Sequence, residues 1–189
     1  GGPIVATRWF GSHSLSSDFG FAVGARDVPV GVIAGVLAQL VFVPVVSWPV
    51  EHLWSIDVDE PTRQLLDTTV GSRVVLYLVI IVGAPIAEEL FFRGALQRML
   101  RARLAPWGSV LASAALFAGF HFDLIHAPFL VVAGLALAWI YERSGRLWVP
   151  LGAHVLHNGI TYVQTQIEGP GSYAAHVVAN WTWLVPLGI

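Results

Sequence analysis

Long runs of apolar residues, broken by short polar or charged clusters, set the pattern of this chain. Residues 28–50 form the cleanest run: no charge, and only Gln39 and Ser47 as polar side chains. Such a run is long enough to cross a bilayer as one helix. The next begins at residue 74 and continues to Arg103, carrying Pro85 and then Glu88, Glu89 and Arg93 inside otherwise apolar sequence. Pro85 removes one backbone hydrogen bond and predicts a kink just before Glu88. Shorter apolar runs occupy 110–122, 128–141 and 148–163, and a further one starts near Val177. Several are short for a full crossing, which predicts tilt or passage through protein rather than lipid.

The connections are polar. Residues 3–27 hold serines and glycines without a helical period and read as a loop or interfacial segment, with Trp9, Phe10, Phe19 and Phe21 as candidates for the membrane interface. Residues 51–72 form an acidic loop around Pro61, and Ala105-Pro106-Trp107-Gly108 reads as a turn. Arginines gather at 98–103 and at 143–146, two turns that the positive-inside tendency assigns to the cytoplasm, opposite the acidic loop. The expected architecture is therefore all-α: a polytopic transmembrane helical bundle of about six segments over 28–189, preceded by the 1–27 segment, in the cell membrane. The start at Gly1-Gly2-Pro3 and the end inside an apolar run read as the ends of a fragment.

Composition agrees with that class. Hydrophobic residues make up 56% of the 189 and charged residues 12%, about half the share usual in a soluble domain, and mean hydropathy is +0.69. All ten basic residues are arginine and cysteine is absent, which removes disulfides and thiolate chemistry. A net charge of −2 gives no reason to expect nucleic acid.

The charges inside the second run carry the functional argument. Ionisable groups near a bilayer centre are expensive and usually face a bundle interior where they work. Glu89 and Arg93 are i and i+4 on one helix face and can neutralise each other. Glu88 lies about 100° further round and needs a partner from another helix. Two histidines reach the right depth. The midpoint between 88 and 121 falls on the turn at Leu104–Pro106, so in an antiparallel pair His121 lies level with Glu88. His154 stands about 13 Å into its helix from the next basic turn and Glu88 about 15 Å from its own. His154, His157 and Asn158 are spaced i, i+3, i+4, which stacks His154 and Asn158 on one face.

A carboxylate beside an imidazole suits water activation, with Glu88 as base and His121 holding the water. His154 and Asn158 then suit stabilisation of an oxyanion. Other readings stay open: polar interhelical contacts without chemistry, a metal site built on Glu88, His121 and His154, or a membrane partner without turnover. The HExxH pattern of zinc proteases is absent, and no serine has the setting of a nucleophile. His13, His52, His126 and His176 lie in loop-like sequence, and Phe117 reads as packing beside His121.

Glu88-Glu89-x-x-x-Arg93, Phe117-x-x-x-His121 and His154-x-x-x-Asn158, in that order, resemble the three motifs of the CAAX protease and bacteriocin-processing (CPBP, or Abi) family of intramembrane glutamic endopeptidases. The resemblance covers 74–163. It implies Glu88 and His121 as catalytic residues activating water, His154 and Asn158 as oxyanion contacts, and Glu89 and Arg93 in support. It further implies no metal or other cofactor and a membrane-associated peptide or protein substrate met within the lipid bilayer.

Overall fold

The computed structural model describes Ser14, Val45 and residues 19–42, 70–122 and 127–168. Within these residues the regular structure is entirely helical. Helix α1 runs over Asp27–Phe42. Helix α2 is continuous but changes its winding: α-helical over Val70–Leu78, π-helical over Val79–Gly83, α-helical over Ala84–Glu88, π-helical over Glu89–Gln97 and α-helical over Arg98–Arg101. Helices α3 (Pro106–Phe120), α4 (Ala127–Ser144) and α5 (Trp148–Glu168) follow.

The boundaries depart from the hydrophobic pattern where local backbone chemistry overrules it. Helix α3 begins at Pro106, because a proline at the first helical position gives up an N–H that has no partner there in any case. The expected 105–108 turn is thus mostly helix. Residues 70–72, expected in the acidic loop, are the first turn of α2, and α5 runs past residue 163 to Glu168. Most of the acidic loop and the sixth apolar run lie outside the described residues.

Helix α2 is the one described helix long and apolar enough to cross a membrane by itself: its stretch Val74–Arg101 has 28 residues and contains an 18-residue window with a mean hydropathy of 2.1. At about 1.5 Å per residue it exceeds a hydrocarbon core of about 30 Å. Helices α1 and α3 are apolar but shorter, so the described helices do not by themselves supply six spans. The distribution of polarity is that of a membrane protein turned outward. Val74, Val75, Leu78, Val79, Val82, Ile86 and Phe91 of α2 are exposed, whereas Glu89, Arg93 and Gln97 are fully buried.

Helix α3 packs along α4, and α5 along α1. Both contacts use missing side chains, as apolar helices in lipid commonly do. A Cβ on Gly35 of α1 would lie 2.8 Å from the Ala153 carbonyl oxygen, and one on Gly134 of α4 would lie 3.1 Å from both the Ala114 Cα and the Phe117 ring.

The segment before α1 is docked on the bundle. Phe19 is buried, the Leu147 N–H donates to the Gly20 carbonyl at 2.9 Å, and the Trp148 indole donates to the Phe21 carbonyl at 2.9 Å. Asp27 pairs with Arg146 at 2.8 Å. These bonds fasten residues 19–27 over the α4–α5 turn. Trp9 and Phe10, expected with Phe19 and Phe21 at the membrane interface, are outside the described residues.

Candidate active site

The buried polar face of α2 runs Glu89, Arg93, Gln97, at steps of four. Arg93 donates to Glu89 Oε1 at 2.9 Å, both side chains being wholly inaccessible, so the expected pairing along one face is present. A second guanidinium nitrogen donates to the Gly134 carbonyl of α4 at 3.1 Å. The guanidinium also lies 4.7 Å from the centre of the Phe117 ring. A carboxylate, a carbonyl and an aromatic face thus share one buried cation. Gln97 was not singled out from the sequence, although it extends the Glu89–Arg93 stripe by one more turn. Its amide donates to the Ala138 carbonyl at 2.9 Å.

His154 joins the two glutamates. Its Nδ1 lies 2.9 Å from Glu89 Oε1; a carboxylate accepts, so Nδ1–H donates. On the other side of the ring, Nε2 lies 3.8 Å from Glu88 Oε2. Glu88 thus finds its partner on another helix, as its position on α2 requires. That partner is the histidine expected to serve the oxyanion, and its link to Glu89 was not foreseen. Glu88 differs from Glu89 in access: its side chain is 13% exposed against 0%. Oε2 of Glu88 makes no hydrogen bond among the described residues.

His121 is the residue on which α3 stops. Phe122, at φ 52°, takes the left-handed conformation that ends the helix. His121 Nδ1 lies 2.7 Å from the Phe117 carbonyl; a carbonyl only accepts, so this nitrogen carries the hydrogen and Nε2 holds the lone pair of the neutral ring. The Phe117 ring lies 4.7 Å from the His121 ring and 6.1 Å from the His154 ring, centre to centre. Phe117 is therefore the apolar wall shared by both histidines and Arg93, which is more than the packing role expected of it.

Asn158 is buried beside His154 on α5, and its amide donates to the backbone carbonyl of Ile80 at 3.0 Å. His157 points elsewhere, its ring stacked on Phe129 at 5.9 Å. Among the described residues no three His, Cys, Asp or Glu side chains are grouped to hold a metal ion. Glu88, His121 and His154, considered together as ligands, do not form such a group.

The sequence that builds this arrangement resembles a known family. Residues 70–160 match the family model of type II CAAX prenyl endopeptidase Rce1-like proteins. All of the residues above from α2, α3, α4 and α5 fall inside that match. The match covers just under half of the chain and supports kinship with the CAAX protease (CPBP) family. Among curated proteins, "Putative membrane peptidase YdiL" of Bacillus subtilis is 31% identical over 114 residues, 60% of this chain and 46% of that protein. "Uncharacterized protein YpbD" of the same organism is 25% identical over 147 residues, 76% of this chain and 71% of that protein. The chain thus spans about half the length of the first of these relatives. No solved structure matches it. Family and relative both point to a membrane protein, in agreement with the outward apolar surface of α2.

Proposed function

We propose that this chain is an intramembrane endopeptidase that hydrolyses a peptide bond in a membrane-associated substrate, a class that includes prenylated CAAX-type sequences. The observation that carries this reading is the approach of Glu88 Oε2 to His154 Nε2 at 3.8 Å, with His154 Nδ1 already committed to Glu89. In the neutral ring Nε2 is an acceptor, and so is an ionised Glu88. Two acceptors at this separation can be bridged by one water that donates a hydrogen to each and turns its lone pair outward. A water held in this way would be activated as a nucleophile.

In this mechanism Glu88 takes a proton as the water oxygen bonds to the scissile carbonyl carbon, and the carbonyl π electrons move to oxygen. When the intermediate collapses, the C–N bond breaks and Glu88 returns the proton to the departing amine. His154 holds the water and is itself oriented by Glu89, whose charge is balanced by Arg93. His121 supplies a second imidazole across the Phe117 wall, suited to the substrate carbonyl once protonated at Nε2. Exclusion of water by Phe117 and the surrounding lipid strengthens each of these polar contacts.

The test compares parent, Glu88→Gln and His154→Ala proteins, reconstituted in liposomes, on a farnesylated CAAX-type reporter peptide. Glu88→Gln preserves shape but cannot take a proton, so turnover is expected to vanish while the protein stays folded. His154→Ala is expected to lower turnover by about 10² to 10³, the scale for losing a polar contact to the reacting atoms. Cleavage by Glu88→Gln at the parental rate would overturn the assignment.

A further inference from the structure

The π-helical stretch of α2 has a consequence for Asn158. Within Val79–Gly83 the backbone bonds reach five residues back, and the Ala84 N–H donates to the Val79 carbonyl. In an α-helix that same N–H would serve Ile80. The next donor in the π-helical series, five residues beyond Ile80, is Pro85, which has no N–H. The Ile80 carbonyl is therefore bypassed twice, once by the change in winding and once by the proline. It is this carbonyl that Asn158 Nδ2 reaches at 3.0 Å from α5. Pro85 is itself fully buried, and a bare carbonyl inside hydrocarbon is costly.

We infer that Asn158 is a positioning residue: it clasps the Ile80 carbonyl that Pro85 leaves unserved, and so fixes α5, one turn from His154, against the part of α2 that leads into Glu88. The clasp lies about two turns before Glu88 on α2 and about one turn after His154 on α5. Losing it frees α2 and α5 to rotate against one another, which changes the Glu88–His154 separation on which the proposed hydrolysis rests. An oxyanion contact by Asn158 has no such dependence on Pro85, and the two roles separate in a double-mutant cycle.

The cycle comprises parent, Asn158→Ala, Pro85→Ala and the double variant, full chain in each case. Pro85→Ala restores the missing N–H, giving Ile80 a backbone partner. Melting in detergent gives the first readout and needs no substrate: Asn158→Ala should lower the melting temperature clearly in the parent and by less than half as much in the Pro85→Ala background. Kinetics on the farnesylated reporter gives the second. Asn158→Ala should lower kcat by about tenfold or more in the parent with KM little changed, and by less than threefold beside Pro85→Ala. Failure of Asn158→Ala to accumulate in the parent together with accumulation of the double variant supports the clasp equally. Equal losses in both backgrounds, or failure to accumulate in both, overturn it. If Glu88→Gln still cleaves the reporter, the hydrolytic reading falls, yet the melting cycle continues to decide the clasp.

Discussion

Two adjacent glutamates in one helix stand in different circumstances. Glu89 is sealed between Arg93 and His154, whereas Glu88 keeps partial access and a longer approach to the same histidine. Breaking a buried ion pair by removing one partner costs about 3–5 kcal/mol, because the other charge is stranded. Glu89→Gln is therefore expected to lower the melting temperature strongly, and Glu89→Gln with Arg93→Gln to recover part of the loss. Glu88→Gln should melt close to the parent. Equal melting of Glu89→Gln and parent would contradict the division of roles. The Glu89–Arg93 pair was legible in the sequence because both residues share one helix, where spacing alone decides which faces coincide. The partner of Glu88 was not. Counting from turns sets the depth of His121 and His154 but not the rotation of their helices. That rotation depends on the Gly134 contact, on the stop at Phe122 and on the Asn158 clasp.

Helices α3, α4 and α5 were legible as apolar runs, and their contacts trace to glycines whose importance no hydrophobic pattern reveals. Gly35 lies against Ala153, and any side chain there must displace α1 from α5. Gly35→Leu is expected to cost about 1–3 kcal/mol, the scale of overpacking a close contact. Gly119 of α3 has open space around it, so Gly119→Ala should stabilise by about 0.5–1 kcal/mol through helix propensity alone. Unfolding in a denaturing detergent titration checks both signs; a neutral Gly35→Leu would mean that α1 and α5 are not closely packed. The π-helical stretches of α2 were beyond sequence reasoning for a related cause. Pro85 announces a disturbance, but the hydrophobic pattern does not say how the winding changes around it or that Asn158 of α5 would donate to the Ile80 carbonyl. Such stretches are frequent at functional sites, and Glu88 and Glu89 lie where α-helical winding gives way to π-helical.

At the scale of the whole molecule, the membrane assignment rests on the family match and on α2, whose apolar side chains face outward and whose buried face carries Glu89 and Arg93. The arginine turns at 98–103 and 143–146 are expected on the cytoplasmic side and the acidic 51–72 region on the other. Cysteines introduced at Asp59 and Arg103 should then be labelled from opposite sides by an impermeant reagent; labelling from one side would remove the crossing order from which the depths of Glu88, His121 and His154 were deduced. The central claim is that the Glu88–His154 pair cuts peptide bonds of membrane substrates. The most direct measurement compares the N-termini of membrane proteins between cells carrying the intact chain and cells carrying Glu88→Gln at equal abundance. New peptide ends present only with the intact chain are expected, and the residues flanking them would define the cleavage site. The same set of ends in both cells would contradict it.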